Sequence, residues 1–292
     1  MYNDIVALFS CIDDFCKIYN EWEKENLIDT GKKRNRQGKL NLSEKLFIVI
    51  LYHFEKFKDF KHYYLYGIQY KHRNKFKELP CYDRFIQIMP SLIVPLSILL
   101  HALMGKKTGI YFIDSSSLKV CRNKRISRNK VFKGLGKRGK TTMGWFFGFK
   151  LNLVINHVGE IVAVKITAGN INDREPVDIL TKNLKGSCYA DKGYISKELF
   201  RKLYNRGLRL IVGIRKNMKN YLMPMIDKIL LRKRFLIETV FGILKNSMNI
   251  EHTRHRSPKN FVVNLLAGLV AYSFRKNKPS IKFIKNETLI HS

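Results

Sequence analysis

Apolar side chains recur three and four positions apart at Ile5, Leu8, Phe9, Ile12, Phe15 and Tyr19, with acids on the other side, and this spacing predicts an amphipathic helix across residues 3–28. A basic link follows at 31–39. Asn41 or Ser43 is then placed to cap a second helix running to Phe54, and a basic, aromatic stretch extends from Lys56 to Phe76. Pro80, Pro90 and Pro95 punctuate two shorter helical pieces. The chain thus reads as helical up to about residue 105, and it is dense there in Lys, Arg, Tyr and Phe.

Beyond Gly105 the period changes. Strand-like runs occupy Ile110 to Cys121, Trp145 to Asn156 and Glu160 to Thr167, the last two joined by a turn at His157 to Gly159. Helices and strands then alternate. A helix is expected near Asp173, with Pro176 in its first turn, then a short strand at Ser187 to Ala190 and a helix at Ser196 to Asn205. A buried strand at Leu208 to Ile214 and one long helix at Ile226 to Asn246 complete the order. The expected class is α/β (α+β), with a helical module at 1–105 ahead of a mixed-sheet unit flanked by helices at 106–292.

Composition sharpens this picture through charge. Lys and Arg number 55 against 23 acids, a formal net charge of +32, and a chain this basic repels itself unless it meets a polyanion. Nucleic acid is the natural partner. The most apolar stretches, Leu92 to Leu100 and Phe261 to Tyr272, are short for a membrane span, and no basic-then-apolar leader opens the chain, so a cytoplasmic location is expected. The five cysteines include no Cys-x-x-Cys pair, which argues against a zinc ribbon and a disulfide framework. Seven of the 23 acids fall in the first 30 residues, so each acid further on is informative.

Three of those acids sit where rigid elements would hold a hard oxygen ligand. Asp114 interrupts the apolar strand Ile110-Tyr111-Phe112-Ile113. Asp191 follows Cys188-Tyr189-Ala190, at the carboxyl end of a strand, where α/β proteins place their sites. Glu238 lies within a predicted helix; at about 100° per residue, Arg234, Glu238 and Lys245 fall within roughly 40° of one another on one stripe. Each has a plainer reading: an exposed strand position, a turn aspartate, an i, i+4 salt bridge.

Here the sequence resembles a known family. The strand Asp114, the turn Asp191-Lys192-Gly193-Tyr194 and the helix pattern Arg234-x3-Glu238-x6-Lys245 are similar to the signatures of bacterial insertion-sequence DDE transposases. The likeness continues through Val131-Phe132-Lys133-Gly134, Gly144-Trp145-Phe146-Phe147-Gly148-Phe149-Lys150-Leu151 and the run from Thr167 to Pro176. It extends to Arg215-Lys216-Asn217-Met218-Lys219 and the run from Ile250 to Ser257, and resembles the nine-eighty-two group in particular.

The resemblance implies an RNase H-like core, and two divalent ions (Mg2+, with Mn2+ as substitute) held by Asp114, Asp191 and Glu238. Such ions sit about 3.5 to 4 Å apart and clamp the attacking and leaving oxygens at phosphorus. It also implies DNA phosphate contacts from Arg234 and Lys245, transposon-end and target DNA as partners, and a homodimer in the DNA complex. Leu231 stands where related families carry Tyr, and Asn152 where His is expected. Further DNA contacts are expected from Lys192, Lys150, Lys137, Arg138, Lys140, Arg254 and Arg256.

Competing signals are weaker. Gly134 to Thr141 satisfies the phosphate-loop pattern G-x4-G-K-T, but a basic stretch precedes it and Gly144-Trp145-Phe146 follows, not a strand and a helix. It reads as a basic DNA-contacting loop, and no nucleotide cofactor is expected. Glu251, His252 and His255 lie among arginines that disfavour a metal. Asp173, Glu175 and Asp178 read as helix-start acids, with Asp173 the reserve ligand. Two rival functions remain: a nuclease that hydrolyses without joining, and a transposase remnant that only binds DNA.

Overall fold

The computed structural model describes residues 5–26, 38–142, 144–214, 218, 222–252 and 255–281. The link at 31–37, most of the run from Arg215 to Lys219, and Arg254 lie outside the described residues.

The first helix, α1 (Ile5–Asn26), buries Leu8, Ile12, Cys16 and Tyr19, one stripe of its surface. Asn41 caps α2 (Leu42–Leu51) in a reciprocal box: Asn41 Oδ1 accepts from the Glu44 N–H at 2.7 Å, and the Glu44 carboxylate accepts from the Asn41 N–H at 2.8 Å. The aromatic stretch winds as α3 (Phe60–His62) into a π-helix (Tyr63–Lys71). After it, α4 (Tyr82–Ile88) and α5 (Ile93–Ala102) join through a tight turn at Met89–Leu92. Pro90 falls at the start of that turn, so the two predicted pieces form one rod. By length and composition the rod would suit a membrane span, yet Phe85, Leu92, Leu96 and Leu99 are packed in the protein core.

Among the described residues six strands follow: β1 (Ile110–Lys119), β2 (Lys137–Thr141), β3 (Gly144–Asn156), β4 (Ile161–Ala168), β5 (Gly186–Ala190) and β6 (Leu208–Val212). The predicted basic loop at 134–141 is thus, from Lys137 on, a strand hydrogen-bonded to Gly144–Gly148 of β3. A strand that continues into a hairpin has no helix start to cradle a phosphate, which removes the phosphate-loop reading on geometry. Further along β3, Phe149 to Ile155 pair with β4, while the other edge of β3 pairs antiparallel with β1. On its far side β1 pairs parallel with β5, and β5 with β6. The resulting path β4-β3-β1-β5-β6, three antiparallel strands followed by two parallel ones, is the RNase H-like order.

Short α6 (Val177–Leu180) and α7 (Lys197–Tyr204), capped by Ser196, supply the connections on one face. On the other face lie α8 (Met225–Arg232) and α9 (Phe235–Gly242). The single long helix expected over 226–246 is in fact broken. Arg234 N–H bonds to Leu231, Leu236 N–H to Lys233 and Ile237 N–H to Arg234, three-residue closures that tighten the chain and re-aim α9. A π-turn at Ile243–Ser247, closed by Met248 N–H on Ile243 O at 2.9 Å, then alters the phase again.

The last described helix, α10 (Pro258–Phe274), is capped by Ser257 and buried over most of its length from Phe261 to Tyr272, as an all-round apolar helix must be. Its neighbours are α2 and α5. A Cβ at Gly268 would lie 2.3 Å from the Ile250 side chain, so only glycine permits this approach. One continuous apolar core therefore runs from Leu8 through α2 and α5 to α10 and the β1–β3 face of the sheet.

Candidate active site

Buried Tyr111, Phe112 and Ile113 carry β1 to Asp114, and buried Cys188, Tyr189 and Ala190 carry β5 to Asp191. Parallel pairing places Phe112 opposite Tyr189. Two residues on, Asp114 in the middle of β1 and Asp191 just past the end of β5 therefore come to matching positions on neighbouring strands, which lie about 4.8 Å apart, and the period of two puts both on the side of Phe112 and Tyr189. At this point β1 has an antiparallel partner on one side, β3, and a parallel one on the other, β5.

The same face receives α9. Leu236, Ile237, Val240 and Phe241 anchor it in the core, which leaves Glu238 exposed. Arg234, at the break before α9, spans two of the acids: its guanidinium donates to Asp114 Oδ2 at 3.3 Å and to Glu238 Oε1 at 2.8 Å. The i, i+4 salt bridge is real, but it extends across to the sheet, so Arg234 is one cation shared by two carboxylates. Asp114 Oδ1 also accepts from the Ser115 N–H at 2.8 Å.

Burial pushes the Asp114 carboxyl up to about 6. The Ser115 N–H and Arg234 pull it down, and the charges of Asp191 and Glu238 push it up again. The charges of both other acids thus reach Asp114.

A second group that sequence reasoning underrated abuts the first. Asp173 Oδ1 accepts from Ser115 Oγ at 2.8 Å and from Lys150 Nζ at 2.9 Å, and Lys150 Nζ also donates to Ile171 O at 2.9 Å. Lys150, expected on DNA, is held as a structural cation by Asp173, on the opposite face of the sheet from Asp114. Buried Tyr194 lies near both Asp114 and Asp173, and its phenol is pushed well up by burial. The run from Thr167 to Pro176 was the available signal, since it forms part of the family likeness. Asn152 is buried on β3 opposite Ser115 and donates to Lys165 O at 3.2 Å and Thr167 Oγ1 at 3.1 Å.

Lys245 does not join Glu238. The π-turn directs its ammonium to Ser117 O, 2.5 Å away, and to Glu251 Oε2 at 2.8 Å, while Glu251 Oε1 accepts from the Lys119 N–H at 2.9 Å. This clamp ties the far end of the Glu238 helix to the far end of the Asp114 strand. Nearby, His255 stacks on His252 and packs edge-on against Phe261; burial lowers it to about 3.

Of the remaining expected DNA contacts, Lys137, Arg138 and Lys140 project from β2 as exposed side chains, and Arg256 is exposed beside Tyr82. Lys192 lies along Gly213 at the end of β6.

Hard carboxylate oxygens on two strands and a facing helix are the donor set a divalent cation requires. Among the described residues, no three His, Cys, Asp or Glu side chains converge closely enough to hold an ion as they stand. The guanidinium of Arg234 lies between two of them and shows that the site accepts positive charge. The donors therefore fit a metal in kind.

A strand aspartate, a strand-end aspartate and a helix glutamate thus lie on one side of an RNase H-like sheet. The family model described as the transposase DDE domain matches residues 104–258, and the chain belongs to that family. No curated protein matches the sequence. Among solved structures, piggyBac transposase in a synaptic complex with hairpin DNA is similar over 94% of this chain and 73% of its own, with a TM-score of 0.48 and 10% identity.

Proposed function

We propose that this DDE transposase belongs to a bacterial insertion sequence of the nine-eighty-two group, and that it cleaves DNA at the transposon ends and joins the freed 3′ ends to target DNA. The observation that supports this most is the nearness of Asp191 and Glu238 to desolvated Asp114, whose carboxyl feels both charges, with Arg234 joining Asp114 to Glu238. These three residues would hold divalent ions, Mg2+ with Mn2+ in its place. Bound there, the ions would supply charge stabilisation at phosphorus and a more acidic water.

The rest of the work falls to the chain. The Ser115 N–H fixes the Asp114 carboxylate, and the apolar Phe112, Tyr189 and Ile237 exclude water behind it. Arg234 neutralises two carboxylates at once and, when they take up metal, presents its charge to phosphate. Lys137, Arg138, Lys140, Lys192 and Arg256, with Arg254, bind the backbone of double-stranded DNA. Residues 1–105 recognise the ends, in contact with α10. Joining two ends in one complex calls for a homodimer, acting on the DNA of the bacterial nucleoid.

Incubating the purified protein with labelled transposon-end duplex and Mg2+ tests this. Strand-joined products are expected. Hydrolysis alone would make it a nuclease, and retention without cleavage would leave only a DNA-binding protein.

A further inference from the structure

From Asp114 to Glu160 the sequence contains no acid, while Lys and Arg recur throughout. The structure folds the middle of this stretch into one lobe around buried Phe132, which packs against Phe149 and Phe261. Arg122, Lys124, Arg125, Lys137, Arg138 and Lys140 are all exposed on it. Asn123 Nδ2 donates to Trp145 O at 2.8 Å and so draws the 122–125 turn alongside the β2–β3 hairpin.

At the base of β3, within this cationic surface, stands Trp145. Its neighbours Phe146 and Phe147 are buried, yet Trp145 is 60% exposed. Its ring lies beneath Lys140 Nζ, 5.7 Å from the ring centroid. A single exposed apolar residue is unremarkable on most surfaces. Here an exposed ring is surrounded by one sign of charge, and an aromatic ring amid phosphate-binding cations matches a nucleic-acid base stack.

We infer that the lobe spanning residues 122–145 is a DNA grip in which Trp145 stacks on or wedges between bases while Lys137, Arg138 and Lys140 neutralise the adjoining phosphates. The inference rests on the transposase reading for its partner and adds a contact remote from the carboxylates. Asp114 pairs with Leu153, eight residues along β3 from Trp145. At about 3.3 Å per residue, that is about 26 Å. A duplex laid along the strand would meet Trp145 about 8 base pairs from the phosphate at the carboxylates.

Trp22 and Trp145 are the only tryptophans, so Trp22→Phe leaves Trp145 as the sole indole reporter in the full chain. This protein is titrated with a 30-base-pair duplex, and DNA retention is followed in parallel by gel shift. Emission from Trp145 is expected to be quenched as DNA binds. Trp145→Ala should weaken binding about 5- to 150-fold, the range for one lost base stack, and Trp145→Phe should recover most of it. Because Trp145 is exposed, neither change should impair folding.

Retained DNA with unchanged emission would overturn the inference, as would a Trp145→Phe protein no better than Trp145→Ala. Absence of any DNA retention at low salt would instead refute the DNA-binding reading itself, and this inference with it.

Discussion

Replacing Asp114 with Asn should make the metal-free protein more stable while abolishing cleavage. The Asp114 carboxyl is lifted from 3.8 to about 6 in the folded protein. At about 1.4 kcal/mol per unit, holding it ionised at neutral pH costs the fold about 3 kcal/mol. Its side chain is only 22% exposed, so solvent screens this little, and the pairing with Arg234 is already contained in the net shift. Asn keeps the shape and the bond from the Ser115 N–H but has no charge. Arg234 retains Glu238 at 2.8 Å.

The sign follows from proton counting. Between pH 4 and 6 the folded protein holds a proton on Asp114 that the unfolded chain releases, so the parent loses stability as pH rises through that window. The variant does not. Its advantage should be absent below about pH 4 and full above about pH 6, at about 1 to 3 kcal/mol, or on the order of 5 °C in Tm. Urea denaturation of both proteins in a chelator across pH 4–8 measures this directly. Mg2+ should then stabilise the parent, by about 2.7 kcal/mol at 100 times its Kd, and not the variant. A variant less stable than the parent at pH 8, or a difference that ignores pH, would show that Asp114 is not held against its own desolvation.

Asp191→Asn and Glu238→Gln are each expected to remove cleavage while leaving duplex affinity within a few-fold, because neither side chain donates to phosphate; parental cutting by either variant would reassign that ligand. Lys245→Met should lower stability by about 1 to 3 kcal/mol, since Glu251, 19% exposed, loses its partner. The salt dependence of DNA binding should not change, whereas a slope lower by about 0.9 would return Lys245 to the phosphates. Burial depresses His53 to about 4 and His255 to about 3. Groups held neutral in this way contribute stability above their unfolded value of 6.5 that is lost as pH falls, about 1.4 kcal/mol per unit for each. His53→Gln should flatten the acid limb of a stability–pH curve, and an unaltered limb would refute it.

Much of the fold was legible because periodicity survives burial. The apolar run that ends at Asp114, the strand Leu208 to Val212, apolar except at Arg209, and the cap residue Asn41 each left a local signature. The three acids stood out because acids are scarce in that half of the chain. What was not legible depends on contacts between distant residues. Nothing local marks the break at Lys233 and Arg234, because its purpose is to aim α9 at a strand 120 residues earlier. The same holds for Lys245, whose phase a π-turn resets toward Ser117 and Glu251, and for Lys150, neutralised by Asp173. The strand at Lys137–Thr141 was hidden by its composition: Lys, Arg and Gly have low strand preference, and only pairing with β3 holds them extended.

The burial of α10 against α2 and α5 imposes an order on synthesis. The apolar residues of α2, Leu46 to Leu51, leave the ribosome more than two hundred residues before Phe261 and Leu265 arrive to cover them. At about 5 to 20 residues per second, those first helices wait on the order of 10 to 40 s with their inner faces uncovered. A chain that stops short of α10 never closes its core. Prematurely terminated products should therefore be removed by quality control and should not accumulate as basic fragments that occupy transposon ends without cutting them.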